Sequence, residues 1–378
     1  MRRGKNTLFV EKNNFQKAFF FQKKPYFCRF LQNVILTMKT PRFLLLGCVL
    51  LGWLASCSTK VDLYADYKDV PVVYGLIDVT QDTNYVKIIR AFSGSNDHPV
   101  DATEVALIAD SSNYPGKLDA RIVEYKATVG AQYTPTGREF PLDTITIHDK
   151  EEGVFYAPHQ KVYFTTEKFN LDTPSAKYSY HLVVYTPTDT ITSETRLVGG
   201  EDFKILTNSV TFTPNGQDKT GKISFKPAGN AVVYEVRLAF NYKEKKMSEP
   251  MVDKQVGWSY GASHIDDLEY ENGHYLVKYN QATLFNLLST AIGADTLNVV
   301  RYIGTFEIHV AAGGRELYNY IQINSPSEGL TQTIPDYTNV EGGFGVFSSR
   351  INLSSTALLS ARTQTDLIGM NWGFKQRD

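Results

Sequence analysis

Between Ala231 and Lys243 the chain alternates without a break. Val232, Tyr234, Val236, Leu238, Phe240 and Tyr242 fall on one side, and Val233, Glu235, Arg237, Ala239, Asn241 and Lys243 on the other. A period of two with one wet side describes a strand and excludes an amphipathic helix. Val299 to Val310 repeats the arrangement through Val300, Tyr302, Phe306, Ile308 and Val310, and Tyr178 to Thr186 does so through Tyr178, Tyr180, Leu182 and Val184. Further β-rich runs are Pro71 to Val79, Tyr85 to Phe92, Glu104 to Ala109, Arg121 to Val129, Asp143 to His148, Val154 to Tyr156, Lys161 to Thr165 and Thr190 to Val198. Clusters of turn residues separate them. The fold class expected is therefore all-β.

Two β-sandwich-like domains are predicted. Residues 71–198 have the size of an immunoglobulin-like or transthyretin-like sandwich. Gly199, Gly200, Glu201 and Asp202 then read as a flexible, solvated joint. Residues 201–378 read as a sandwich or incomplete barrel with one packed helix, adding strands near Lys254 to Tyr260, His274 to Tyr279 and Leu317 to Ile323. Hairpin signals lie at Pro214 to Gly221 and at Glu271, Asn272 and Gly273. Asn280 caps the predicted helix Gln281 to Ile292, whose Leu284, Phe285, Leu287, Leu288 and Ile292 form an apolar stripe. A second helix is predicted from about Leu358 to Ile368.

Ahead of the strands stands a different signal. Met38, Lys39 and Arg42 precede the apolar block Phe43 to Leu54, and Leu54, Ala55, Ser56 and Cys57 close it. This is the pattern of a bacterial lipoprotein signal peptide, residues 38–56, with Cys57 as the acylated thiol. The block falls well short of the ~20 residues a spanning helix needs. Translation is expected to begin at Met38, with residues 1–37 an upstream extension, and residues 57–70 become a lipid-anchored tether.

Removing the leader changes the electrostatics. The whole chain has a formal net charge of −1, but residues 1–56 hold ten Lys and Arg and one acid, so 29 basic and 39 acidic residues remain. An acidic body of net −10 has no electrostatic footprint for nucleic acid. Cys28 and Cys48 leave with the leader, so beyond Cys57 there is no thiol for a disulfide, a nucleophile or a zinc site.

Sequence signals for catalysis are sparse. There is no Gly-x-Ser-x-Gly elbow, His-Glu-x-x-His helix or calcium loop. His264 with Asp266 and Asp267, and His148 with Asp149, Glu151 and Glu152, are the nearest to metal or acid–base clusters; both read as solvated turns. His159, His181, His274 and His309 are scattered singly. Neither a catalytic residue nor a cofactor or metal site is predicted. Trp258, Tyr260, Tyr270 and Tyr275 cluster along the chain and form a candidate platform for stacking on a sugar or peptide. Asp143-Thr144-Ile145, Asp189-Thr190-Ile191 and Asp295-Thr296-Leu297 resemble the Asp-Ser/Thr-apolar acceptor of bacterial O-glycosylation, which makes Thr144, Thr190 and Thr296 candidates.

The lipobox at Cys57, the strand Val72 to Leu76, the hairpin that follows and the stretch Leu317 to Arg350 together resemble uncharacterised lipoproteins of the Bacteroidetes. Within that stretch, Leu317 to Ile321 precede a Ser-Pro loop, and Asn339 to Phe347 form a Gly-rich run. The pattern is similar to the domain of unknown function 4249 family, often encoded beside TonB-dependent receptors. The resemblance implies an outer-membrane location and a receptor partner, and no activity. The glycines have their own physical reading: between Phe344, Val346 and Phe347 they let a strand pass close to its neighbours, whereas a phosphate cradle would open a helix.

The expected function is that of a lipid-anchored, non-enzymatic outer-membrane protein that binds a ligand or partner at the cell envelope. Two other readings stay open: a carbohydrate-active hydrolase whose carboxylate pair is assembled only in space, and a fimbrial or structural subunit with an edge strand able to accept a donor strand.

Overall fold

The alternating runs become strands, and their pairing gathers them into three open sheets. The computed structural model describes residues 70–91, 112–127, 132–148, 159–169, 178–200, 202–247, 249–292, 299–324 and 337–376. Residues 1–69, with Cys57 and the leader, lie outside these, as do Thr296 and the strands expected at 104–109 and 154–156.

The first strands are β1 (Val70–Asp78), β2 (Asn84–Ala91), β3 (Asp119–Ala127), β4 (Tyr133–Pro141), β5 (Asp143–Ile147), β6 (Gln160–Thr165), β7 (Tyr178–Tyr185) and β8 (Thr190–Thr195). Beyond the Gly199–Gly200 pair come β9 (Ser209–Val210), β10 (Thr220–Phe225), β11 (Val233–Lys246), β12 (Val252–His264), β13 (Glu269–Glu271) and β14 (His274–Asn280). Helix α1 (Gln281–Ile292), β15 (Val299–Gly313), helix α2 (Arg315–Asn324), β16 (Val340–Glu341), β17 (Phe344–Leu359), helix α3 (Ala361–Gly369) and β18 (Phe374–Lys375) complete the order. The protein is all-β and sandwich-like, and no sheet closes into a barrel among the described residues.

One sheet runs through both halves of the chain in the order β12-β11-β15-β17-β1-β2-β6-β5, with β18 beside β15 and β9 beside β17. A second, β16-β8-β7-β3-β4, covers its N-terminal end, and a third, β10-β14-β13, lies in the C-terminal half. There are correspondingly two cores. One gathers Val73, Ile77, Val86, Phe140, Tyr180 and Leu182. The other gathers Phe212, Phe225, Phe240, Phe285, Phe306 and Trp372, with Phe212 at 6.0–6.3 Å from three of the other rings. Rings at such distances pack edge-on or tilted, as their quadrupoles favour.

The long strand β17 joins the two cores. Its first half pairs in parallel with β1, Val72 to Phe344 through Asp78 to Arg350, and its second half pairs antiparallel with β15. Gly345 makes this possible, because a Cβ there would lie 1.9 Å from the Val73 carbonyl oxygen and its φ of 111° disfavours other residues. The Gly-rich run is thus a close backbone approach, as its spacing implied. Asp78 ties the same seam: Oδ1 accepts from Thr80 N–H and Oγ1 at 3.0 and 2.6 Å, while Oδ2 accepts from Asn352 Nδ2 at 3.0 Å.

Three local expectations are revised, and one strand is added. Leu317 to Ile323 is helical, because Leu317 and Ile321 stand one turn apart, and a short apolar run leaves helix and strand ambiguous. Pro214 to Gly221 turns without forming a hairpin: β9 before it pairs with β17, and β10 after it pairs with β14. Gly199 is buried where a solvated joint was expected, exchanging backbone hydrogen bonds of 3.1 and 2.6 Å with Gly229, while Asp202 is exposed as expected. Strand β4 carries no apolar alternation, being largely exposed and broken by Gly137 at φ 86°, and it gave no sequence signal. By contrast Asn272 and Gly273, at φ 52° and 82°, form the turn between β13 and β14 that their sequence demands.

Deep in the C-terminal half, Arg301 is paired with Glu244, Nε to Oε2 at 2.9 Å, and its remaining donors reach the carbonyls of Trp372 and Ile292. Both partners are buried. Two stability predictions follow from this chemistry. Gly345→Ala should cost about 3 kcal/mol or more in chemical denaturation, while Gly116→Ala, which meets nothing within 4 Å, should change stability by less than about 0.5 kcal/mol. Arg301→Met should cost about 3–5 kcal/mol by stranding Glu244, and adding Glu244→Met should recover most of the loss.

Candidate functional site

Because β11 keeps one face wet, its neighbours define what stands beside that face. Register sets out four rows across β11, β15 and β17: Val233–Gly313–Arg350, Glu235–Ala311–Asn352, Arg237–His309–Ser354 and Ala239–Glu307–Thr356. Ser259 of β12 extends the third row. The opposite face of these strands belongs to the aromatic core, while this face carries an open groove of about 850 Å³ whose wall includes Leu317 and Ile321 of α2. Small residues at Ala239, Ala311 and Gly313 floor the groove and make room for it.

The polar groups in the groove are held in place by one another. Arg237 forks onto Glu235, Nε to Oε1 at 2.7 Å and Nη2 to Oε2 at 3.0 Å, and Ser259 Oγ donates to Glu235 Oε1 at 2.7 Å. The Arg237 hydrogen bonds, helped by Ser259, hold the Glu235 carboxyl below the usual carboxylate range. Glu235 is accordingly a fixed anion and a poor proton donor. His309 Nδ1 lies 2.7 Å from Ser354 Oγ, and its Nε2 lies 3.3 Å from Glu307 Oε2. The Arg350 side chain makes no ion pair or hydrogen bond among the described residues. The groove therefore offers one unengaged guanidinium beside a prearranged ladder of donors and acceptors.

The predicted aromatic platform divides into two pairs. Trp258 lies against Phe306 with ring centroids 5.7 Å apart, and it packs on the C-terminal core. Its indole Nε1–H is buried with no acceptor in full hydrogen-bonding geometry, although the Tyr260 hydroxyl senses it. Tyr260 borders a cavity of about 310 Å³ together with Tyr234, Leu276 and Lys278, and burial pushes its phenol up to about 12. Tyr275 sits 5.3 Å from Tyr234 and 5.0 Å from Tyr270, so only Tyr270, 59% exposed, presents most of its surface to solvent.

The other singled-out residues also find places. His264 caps the 3-10 turn Ile265–Asp267, its Nδ1 accepting from Asp266 N–H at 3.3 Å, which is the turn role read from the sequence. Asp143 and Asp189 each accept from the next residue's N–H, those of Thr144 and Thr190, at 2.8 and 2.7 Å. Thr190 is exposed at the start of β8, and Thr144 is half-buried in β5. No group of three or more metal-ligating side chains occurs among the described residues. No described helix is long and apolar enough to cross a membrane. Sequence reasoning missed the groove because its rows depend on strand order; the wet face of β11 was its only signal.

No protein-family model matches the chain, and no curated protein matches it. Among solved structures, a DUF4785 family protein of Legionella pneumophila is similar at 12% identity and TM-score 0.21, over 64% of this chain and 52% of that one. The chain thus spans about half the length of that protein. A chimeric titin Z1Z2 is similar at 9% identity and TM-score 0.16, over 78% of this chain and 99% of that one. CBD12 from CALX1.2 is similar at 7% identity and TM-score 0.15, over 76% and 99%. Scores this low carry no weight for fold or function.

Separating the two aromatic pairs gives a direct prediction. Trp258→Ala should destabilise the protein by about 2 kcal/mol, below the cost of a fully buried ring because Trp258 is half-buried against the core. Tyr270→Ala should stay within about 0.5 kcal/mol in the same denaturation experiment.

Proposed function

We propose that this protein is a lipid-anchored binding protein of the bacterial outer membrane, attached through Cys57, that engages a ligand or partner in the groove over β11, β15 and β17. The groove is the observation that carries the reading. Its polar groups are fixed before any ligand arrives, which lowers the ordering cost of binding. Arg350 supplies a cation that no described neighbour neutralises. Glu235, which Arg237 keeps ionised, serves in this reading as a fixed hydrogen-bond acceptor.

The anchor rests on the sequence of residues 38–57, and the receptor partner rests on the resemblance to Bacteroidetes lipoproteins encoded beside TonB-dependent receptors. Residues 57–69 would separate the acyl chains from β1 by at most about 45 Å of extended chain. Stable attachment needs more than one acyl chain, which a mature lipoprotein carries.

The test is a pull-down of the lipidated protein from envelope fractions, beside Cys57→Ala, Arg350→Glu and Ser354→Trp. Wild type is expected to sediment with outer membranes and to retain an outer-membrane receptor. Cys57→Ala should leave the membrane fraction. The two groove variants, at exposed positions, should stay folded and membrane-bound but lose at least tenfold in retained receptor. Equal retention by both groove variants would remove the groove from the function, and a membrane-bound wild type that retains no receptor would end the receptor reading.

A further inference from the structure

The hairpin ends of β5 and β6 carry an arrangement that neither the groove nor the anchor uses. Ile147 and Gln160 form the last pair of the ladder, so His148 and His159 stand opposite each other one residue beyond it. Their Nδ1 atoms are 2.8 Å apart, with ring centroids at 4.7 Å and planes at 84°. Both imidazoles are exposed. When both rings are neutral, one Nδ1 must donate the proton that the other accepts, so two aromatic nitrogens already converge on one point from two strands.

We propose that His148 and His159 form an open binding site for a late first-row divalent metal, with copper(II) bound most tightly. Metal–imidazole bonds run about 2.0–2.1 Å, which places cis ligands at 90° about 2.9 Å apart and tetrahedral ligands about 3.4 Å apart. The 2.8 Å contact is a hydrogen bond, and opening it by about 0.1 Å reaches the cis span of a tetragonal ion such as copper(II) or nickel(II), whereas the tetrahedral span of zinc needs about 0.6 Å; copper(II) also heads the affinity order of these ions. On binding, the ring that carried its proton on Nδ1 passes to the Nε2–H tautomer by exchange with solvent, so that both rings stay neutral, no net proton is lost and each Nδ1 donates its lone pair to the ion. Two protein ligands leave the remaining coordination positions open to water or to a donor from another molecule. The ladder through Ile147 and Gln160 fixes the two Cα positions, so only side-chain rotation is needed to admit the ion. The sequence masked the pair, because ten residues separate positions that the hairpin brings face to face.

Copper(II) is titrated into the full chain, without a purification tag and with its thiols blocked, and followed by calorimetry and electron paramagnetic resonance. His148→Ala, His159→Ala, their double variant and His264→Ala are compared. The expected result is one site per chain with a two-imidazole spectrum. Either single substitution should weaken it at least tenfold, and His264→Ala should leave it unchanged. Copper bound equally well by the double variant, or no stoichiometric site in the wild type, would overturn the proposal.

Discussion

The sheet shared by the two halves of the chain depends on the contact of two backbones at Gly345 and Val73. A side chain at 345 would place its Cβ 1.9 Å from the Val73 carbonyl oxygen, far inside van der Waals contact, so only glycine lets β17 lie parallel to β1 at that point. Without that pairing, β1, β2, β5 and β6 would be one sheet and β11, β12, β15 and β17 another. With it, the long strand belongs to both, and each core covers one stretch of a shared surface. Gly343, whose Cβ would fall 2.6 Å from the Pro71 carbonyl oxygen, repeats the constraint two residues earlier. Side chains then lock the seam: Asn339 donates to Phe347 O at 2.7 Å and to Glu194 O at 3.1 Å, and accepts from Phe347 N–H at 3.0 Å. A parallel pair between strands so distant in sequence carries a loop-closure cost that grows only slowly with length, about 0.6 kcal/mol per doubling, and the polar contacts of the joining segment help to offset it.

Strand identity was legible wherever one face is buried and the other wet. Val233–Lys246 and Tyr178–Tyr185 declare themselves because a period of two has no helical counterpart. The same physics explains the failures. Strand β4 buries one residue in nine, so burial imposes no pattern on it. Helix α2 buries none and is rich in Tyr and Ile, so its composition argues for a strand while its Leu317 and Ile321 spacing argues for a helix. The Gly199–Gly200 pair reads as a linker because glycine is common in linkers. Here it has φ values of 152° and 126°, and Gly199 bridges to Gly229 within the fold. A conformational need and a flexible joint leave the same letters in the sequence.

The candidate site divides along similar lines. Its residues on β11 were visible as the polar half of an alternating strand, but nothing in the sequence says that Arg237 would stand in line with His309 and Ser354, or Val233 with Arg350. Those rows are fixed by strand order and register, which are long-range properties. The aromatic cluster shows the converse. Trp258, Tyr260, Tyr270 and Tyr275 are close along the chain, yet Trp258 and Tyr275 are drawn into ring contacts with Phe306 and with Tyr234. Nearness in sequence marked a packing region instead of a common surface.

Why the sheet is left uncovered on one side follows from the same economy of elements. The C-terminal core occupies one face of β11, β15 and β17, and the third sheet with α1 and α3 contributes to that side. Among the described residues only α2 reaches the other face, and its two apolar side chains wall one edge without filling the space. Had Ala239 and Ala311 been large and apolar, the exposed face would be an adhesive surface of the kind soluble proteins avoid. With small residues on the floor and paired charges above it, the face tolerates water. It keeps a recess in which Glu235 and Arg237 neutralise each other while Arg350 remains unneutralised. A ligand bearing an anionic group and hydrogen-bonding atoms would gain Arg350 without breaking the Glu235–Arg237 pair. Binding at this face would thus cost the fold nothing that it uses elsewhere.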